Sequence, residues 1–137
     1  MRTVHSVSDG ARFVGVDAGA ETIKLIELQR GGTELRVTRR EIVEHGKKPG
    51  PALVETLRRW NWGSVTGAAA SGRFASQINL PPVPLKQAQL RGYRFLFGDG
   101  PATLVNIGGH GFSVLDIRAT KESWGEARTN LQIVIKQ

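Results

Sequence analysis

A short polar segment separates two apolar stretches near the start of the sequence, in GVDAGAETIKLIEL, residues 15–28. It contains the carboxylate of Asp17 two residues before Gly19, and Lys24 follows just beyond it. A glycine-containing turn between strands exposes successive backbone N–H groups, which can bind an anion such as a phosphate. A carboxylate at the end of the first strand could orient hydrated Mg²⁺, because magnesium prefers oxygen ligands and keeps its waters. The pattern therefore predicts a phosphate site in which Asp17 orients the metal through water.

A second stretch of the same form occurs almost ninety residues later, in LVNIGGHGFSVLDI, residues 104–117. Two such turns facing each other could hold the two ends of a triphosphate. Taken singly, each pattern is more typical of a plain hairpin. Their positions in the order of elements favour the phosphate hypothesis for the pair.

Other candidate chemistry is weaker. The segment GAAASGRF, residues 67–74, departs from the phosphate-loop pattern, because Arg73 replaces its lysine and Phe74 its hydroxyl residue. We interpret this segment as a strand-to-helix turn packed through small residues. No dinucleotide fingerprint and no nucleophile elbow is present. Three histidines lack metal-ligand spacing, namely His5, His45 and His110.

Composition restricts the class of protein. With 137 residues, of which 39% are hydrophobic and 23% charged, the chain fits one globular domain. The absence of cysteine excludes disulfides, thiolate zinc sites and a cluster carried on cysteine sulfur. The net charge of +7 is spread over the sequence, so we expect a solvated basic surface and no nucleic-acid partner. No apolar run has the length of a membrane helix and no signal peptide is evident, so we expect a cytoplasmic protein without a membrane partner.

The elements that must position these residues follow from periodicity and turn signals. We predict strands at 13–16, 23–29, 35–39, 64–70, 103–107 and 112–117, a helix opened by Pro51, and a helix from about 85 to 97. The second strand is apolar on both faces, which predicts that it is covered on both sides. The order β-β-β-α-β-α-β predicts an α/β fold with a mixed sheet.

At this point the two motifs resemble those of a known superfamily. GVDAGAETIKLIEL resembles the first phosphate motif of the sugar kinase, heat-shock protein and actin superfamily, and LVNIGGHGFSVLDI resembles the second. The intervening VTGAAASGRFASQINLPPVPLKQAQLRG is similar to the T-G-x-x-x-G-R segment of the BadF/BadG/BcrA/BcrD ATPases. These proteins are activators of acyl-CoA dehydratases and benzoyl-CoA reductases. The resemblance covers about residues 13–118, and pilus-assembly proteins of the same fold begin with a similar motif.

The resemblance implies a ribonuclease-H-like, actin-type ATPase lobe that binds ATP and Mg²⁺. It also implies a homodimer bridged by one 4Fe–4S cluster, in which hydrolysis drives an electron to the partner dehydratase or reductase. By position, the implied catalytic residues are Asp17, for magnesium and water, and Asn106, in place of the usual acid. The implied nucleotide-binding set is Gly15, Asp17, Gly19, Ala20, Glu21, Thr22, Lys24, Asn106, Gly108, Gly109 and His110.

The sequence departs from the family at several of these positions. Ala20 and Glu21 stand where hydroxyl residues are usual, and His110-Gly111 replaces the common glutamine-aspartate. The segment with the cluster cysteines is absent, so we expect no iron–sulfur cluster in this chain. We expect an N-terminal extension at 1–12, the ATPase lobe at 13–120 and a divergent or truncated tail at 121–137.

Three interpretations of function stay open. The first is the nucleotide-binding lobe of such an activator ATPase, truncated and weakly active or inactive alone, with a second lobe missing. The second is a non-catalytic actin-fold scaffold of the pilus-assembly kind. The third is a fragment with no activity of its own.

Overall fold

The computed structural model describes residues 10–108, 111–121 and 127–134, with side chains described for 10–108 and 111–118. The chain divides into two compact units, Met1–Val83 and Pro84–Gln137. The first unit contains strands β1 (Arg12–Ala18), β2 (Thr22–Gly31) and β3 (Glu34–Glu44), helix α1 (Pro49–Arg59), a 3₁₀ helix (Trp62–Ser64), strand β4 (Gly67–Ser71) and a 3₁₀ helix (Ala75–Gln77).

The first unit is built on a mixed sheet with the strand order β3-β2-β1-β4. β1 is antiparallel to β2 and parallel to β4, and β2 is antiparallel to β3. A parallel pair needs a crossover connection, and the segment that contains α1 supplies it between β3 and β4. The core of this unit combines apolar side chains from β1, β2, β4, α1 and their connections, namely Val14, Val16, Ile23, Leu25, Leu53, Trp60, Ala70 and Ala75.

Glu27 continues the buried row of β2, although it is charged. Arg12 forms an ion pair with it, and Thr38 donates a hydrogen bond of 2.6 Å to its Oε1 atom. Burial alone would raise the pKa of Glu27, but the hydrogen bonds from Arg12 and Thr38 and the charges of Arg12 and Arg39 hold the pKa below its ordinary value. The buried carboxylate is therefore kept ionised by partners on three different strand positions.

A second paired carboxylate, that of Glu41 on β3, lies at the carboxyl-terminal end of α1. The Trp60 ring is buried, and its Nε1–H donates to Oε2 of Glu41 at 2.7 Å. Arg59 donates to the other carboxylate oxygen at 2.7 Å, and the Arg39 guanidinium lies 4.6 Å from the centroid of the Trp60 ring. The hydrogen bonds from Trp60 and Arg59 lower the pKa of Glu41. These contacts fix α1 to β3.

The second unit contains helix α2 (Leu85–Phe97) and strands β5 (Ala102–Gly108), β6 (Gly111–Lys121) and β7 (Ala127–Val134). The strands form an antiparallel sheet in the order β5-β6-β7. Leu115 and Ile117 of β6 are buried, whereas several large apolar side chains of the hairpin are exposed, namely Val105, Ile107 and Phe112. In the described ranges, no helix has both the length and the apolar character to cross a membrane.

The predicted α/β class and the mixed sheet are confirmed, and α2 has the predicted bounds. The predicted order of elements is confirmed as far as β6, whereas β7 lies in the segment that we expected to be a tail. Other details also differ. α1 begins at Pro49 and not at Pro51, because a proline already fits the first helical position there. β2 is buried on one face only, since Ile26 on the other face is 40% exposed. β5 pairs with β6 in a separate sheet, because strands that are close in sequence pair at a low entropic cost.

Candidate functional site

Asp17 lies near the carboxyl end of β1, between two neighbouring strands. Its cross-strand partner on β2 is Lys24, and its partner on the parallel strand β4 is Ser71. The carboxyl ends of parallel strands meet at one edge of a sheet, which is where open α/β sheets bind ligands. The topology therefore places a carboxylate, an ammonium group and a hydroxyl side by side at this edge.

The contacts of the Asp17 carboxylate are loose. Nζ of Lys24 lies 3.6 Å from Oδ2, and Oγ of Ser71 donates to Oδ1 over 3.4 Å. The Asp17 side chain is 34% exposed and the Lys24 side chain 56%. Because an exposed ion pair contributes little to folding stability, this carboxylate and ammonium remain free to meet a ligand.

The turn after Asp17 joins β1 to β2 through Ala20 and Glu21. The N–H of Gly19 donates to the carbonyl of Thr22 at 2.9 Å, which closes the turn. A Cβ atom added at Gly19 would lie 3.0 Å from the Thr22 oxygen. Gly19 is not among the residues with positive φ. The turn therefore needs glycine for the close approach of the backbone.

A second glycine approaches Asp17 from β4. Gly72 has a φ of +91°, and a Cβ atom built on it would lie 2.5 Å from Oδ1 of Asp17 and 2.7 Å from the carbonyl oxygen of Ala18. The next residues fold back on the same strand end, since the N–H of Phe74 donates to the Ala18 carbonyl at 3.0 Å. This is the segment interpreted from sequence as a turn packed through small residues, and it shapes one side of the site.

The remaining predicted residues of the first motif are spread along the hairpin. Thr22 begins β2 and is half-buried, Ala20 is half-buried and Glu21 is exposed at the turn. Gly15 lies inside β1 opposite Ile26, where a Cβ atom would meet the Ile26 side chain at 3.2 Å. Its position is in the strand and not at the turn.

The second predicted motif forms the hairpin of β5 and β6. Asn106 lies on β5 opposite Ser113 and is exposed, and Gly108 pairs with Gly111 at the turn. Two predicted residues of this turn, Gly109 and His110, lie outside the described residues. The first motif belongs to the first compact unit and Asn106 and Gly108 to the second.

The donor set at Asp17 suits a particular kind of cation. Across the part of the chain that the structure describes, no group of three or more histidine, aspartate or glutamate side chains converges on one point. A single carboxylate is the arrangement used by Mg²⁺, which keeps several of its waters and takes further oxygens from phosphates. At this edge Asp17 supplies one such carboxylate, with the backbone of Gly72 in close contact with it.

Sequence reasoning missed three residues that surround the first turn. Ser71 and Gly72 reach Asp17 only through the parallel pairing of β1 with β4, and the crossover order β-α-β contained the signal for it. The sequence indicates no role for His45, since its spacing from the other histidines does not suit a metal site. Its Nε2 atom lies 3.0 Å from the carbonyl oxygen of Gly19, a contact that follows from the pairing of β2 with β3.

Comparison of the structure with solved structures gives consistent results. The activator of 2-hydroxyisocaproyl-CoA dehydratase from Clostridium difficile, solved with bound ADPNP, is similar with a TM-score of 0.65 and 18% identity over 78% of this chain and 41% of that one. An exopolyphosphatase from Cytophaga hutchinsonii has a TM-score of 0.56 with 14% identity over 88% and 50% of the two chains. The PPX-GPPA enzyme of Aquifex aeolicus has a TM-score of 0.53 with 12% identity over 90% and 51%.

The chain has the actin-like ATPase fold. At these identities the likeness to solved actin-like ATPases is one of fold alone. The chain spans about half or less of the length of each of these three structures. No protein-family model and no curated protein matches the sequence.

Proposed function

We propose that this chain is a lobe that binds Mg²⁺ and ATP in an actin-type ATPase. The observation that carries the proposal is Asp17, a loosely paired and accessible carboxylate at the carboxyl end of a parallel strand pair. Gly72 lets the backbone after β4 come close to this carboxylate, and Gly19 lets the turn that follows it close against the Thr22 carbonyl. A structural carboxylate of the same sheet, Glu27, is by contrast buried and firmly paired.

Each residue at this edge has a chemical role in the proposal. Asp17 orients the hydrated magnesium ion, which supplies charge neutralisation of the phosphates when bound. The backbone N–H groups of the turn and the hydroxyl of Thr22 contact phosphate oxygens. Lys24, whose ammonium already lies beside Asp17, adds positive charge at the same place. The second motif keeps in this proposal the phosphate-binding role that the sequence resemblance implies, for Asn106, Gly108, Gly109 and His110.

The finer form of the proposal is an activator of an acyl-CoA dehydratase or reductase. Two observations support it. The segment TGAAASGR, residues 66–73, contains β4 and is similar to T-G-x-x-x-G-R with one additional residue, and the fold is similar to that of a dehydratase activator. This chain contains no cysteine, so its residues do not fit the iron–sulfur cluster of that family. The proposed role is therefore nucleotide binding, with the dehydratase or reductase as partner.

A second candidate is an actin-fold lobe that binds nucleotide without hydrolysing it. Asn106 favours this candidate, because an amide stands where the family carries an acid that could position the attacking water. Steady-state phosphate release tests for catalysis by this chain: turnover that disappears in Asp17→Asn belongs to an ATPase, whereas binding without turnover fits either a scaffold or an ATPase lobe that needs a second lobe for hydrolysis.

The test of the site is calorimetric titration of the chain with Mg-ATP. Asp17→Asn removes the charge and keeps the shape, so we expect the dissociation constant to rise roughly 10- to 100-fold, as expected for the loss of one charge-assisted contact. Asp116→Asn is the matched control, because Asp116 lies on β6 with Arg118 and Thr103 as partners.

The control should bind as the wild type does. Unchanged affinity in a folded Asp17→Asn variant would remove Asp17 from the site. A wild-type chain that does not bind Mg-ATP would overturn the proposed function.

A further inference from the structure

His45 lies beneath the turn that joins β1 to β2, with only 5% of its surface exposed. Its Nε2 atom is 3.0 Å from the carbonyl oxygen of Gly19. A carbonyl oxygen only accepts hydrogen bonds, so the Nε2 atom is the one that carries the proton. Nδ1 is buried and has no hydrogen-bond partner among the described residues. The Nε2 donor of the ring is therefore committed to the turn.

The backbone of His45 holds the same turn at a second point. Its N–H donates to the carbonyl oxygen of Glu21 at 3.2 Å. In a planar trans peptide, the carbonyl of one residue and the N–H of the next point in opposite directions. Because the carbonyls of Gly19 and Glu21 face His45, the N–H groups of Ala20 and Thr22 face away from it. One residue thus sets the direction of two backbone donors.

The imidazole ring is itself fixed in place by its neighbours. Phe74 meets it edge to face, with the ring centroids 6.1 Å apart and an interplanar angle of 80°. The N–H of Phe74 is bonded to the carbonyl of Ala18, next to the turn. The ring therefore lies between the turn and the segment after Gly72, both of which border Asp17.

We propose that His45 is a positioning residue for the phosphate turn. By holding the Gly19 and Glu21 carbonyls, it directs the Ala20 N–H group away from itself, to the side proposed for a phosphate oxygen, and fixes the orientation of the peptide that ends in the Thr22 N–H group. This role rests on the proposed function of the site. It differs from a purely structural role, in which His45 would contribute to folding stability and leave nucleotide affinity unchanged.

Three variants separate positioning from packing. His45→Leu fills the space without a donor, His45→Gln retains an amide N–H for the Gly19 carbonyl, and Phe74→Leu removes the ring contact but keeps both hydrogen bonds to the turn. We expect the dissociation constant for Mg-ATP to rise roughly three- to tenfold in His45→Leu, the effect of one lost hydrogen bond. In His45→Gln and Phe74→Leu it should stay within about twofold of wild type, whatever their melting temperatures.

A second measurement uses the wild-type chain and does not depend on how the variants fold. In ¹H–¹⁵N spectra, addition of Mg-ATP should shift the amide signals of Ala20 and Thr22 more than those of the β1 interior. Binding without these shifts, equal affinity in His45→Leu and wild type, or an equal loss in Phe74→Leu would each overturn the role of His45 alone. Absence of Mg-ATP binding by wild type would overturn the proposed function and this role with it.

Discussion

The hairpin of β1 and β2 and the hairpin of β5 and β6 have the same sequence pattern and different surroundings. The first lies in the middle of its sheet, with β3 on one side and β4 on the other. Its inward side chains are buried in the core of the unit. The second lies at the edge of a three-stranded sheet, and large apolar side chains such as Ile107 and Phe112 are exposed on it.

The difference also extends to the polar groups at the two turns. At the first turn, Asp17 and Gly19 are met by side chains from elsewhere in the chain, namely Ser71 and His45. On the second hairpin, Asn106 is exposed. The comparison teaches that a glycine-turn motif predicts a hairpin, whereas the shape of a binding site around it is contributed by other elements. Three further predictions test that contrast.

The largest difference in the free energy of unfolding should appear between variants of two carboxylates. Glu27 in the first hairpin is buried, and Asp116 in the second hairpin is more exposed. Glu27→Ala removes the counter-charge of the half-buried Arg12 guanidinium and leaves it only neutral acceptors such as the Trp60 carbonyl, so we expect a loss of about 3 kcal/mol in the free energy of unfolding. Asp116→Ala removes an exposed pair with Arg118 and should leave stability within experimental error. Urea denaturation of both variants measures the difference. Equal losses would show that the second hairpin is as firmly held as the first.

A smaller difference in the free energy of unfolding should appear between alanine variants of one glycine in each hairpin, Gly19 and Gly108. Gly19→Ala places a Cβ atom 3.0 Å from the Thr22 carbonyl oxygen, whereas Gly108→Ala places one 3.9 Å from the Gly111 carbonyl oxygen, an ordinary contact. We expect Gly19→Ala to lower the free energy of unfolding by about 1–2 kcal/mol, as overpacking does, and Gly108→Ala to have little effect. Thermal denaturation checks this, and a larger loss in Gly108→Ala would reverse the comparison.

The smallest effect is a dependence of stability on pH. Glu27 and Glu41 both have pKa values in the folded chain below the ordinary value of 4.5. The unfolded chain therefore binds protons first, so this stabilisation is complete above about pH 5.5 and is lost as the pH falls through the two folded pKa values. Urea denaturation between pH 7 and pH 3.5 should show the decline.

The double variant Glu27→Gln, Glu41→Gln should flatten this pH profile. The pKa of Asp116 is also lowered, chiefly by its hydrogen bond from Arg118, but this pair is exposed and salt should remove its contribution. An unchanged pH profile in the double variant at high salt would assign the decline to other carboxylates.

The sequence predicts local structure well and long-range pairing less well. The bounds of α2 follow from the prolines before it and the glycines after it, which short segments encode directly. The alternation of β2 places Ile23, Leu25 and Glu27 on one face, but the burial of that face alone depends on the rest of the fold. β3 extends to Glu44, beyond its predicted end, because a bulge opposite Glu27 and Leu28 lets pairing continue. A bulge has no sequence signal of its own in this strand.

The candidate site shows the same division. Asp17 and the turn are identified by motif, since their spacing is local. Ser71, Gly72 and His45 are not, because their approach depends on two pairings between distant strands. Glycine and serine are common in loops, and neither residue type indicates by itself which strand end it will contact.

The parallel pairing of β1 with β4 also bears on the order in which the molecule is assembled. Asp17 and Lys24 meet across a hairpin, but Asp17 and Ser71 are 54 residues apart. Contacts at large separation must wait until the intervening chain has closed, which costs entropy and slows folding. The hairpin can therefore exist before the strand that carries Ser71 and Gly72 has docked beside it. Nucleotide binding at this edge would then report on completion of the unit, and a chain stalled at the hairpin would be folded locally yet unable to bind.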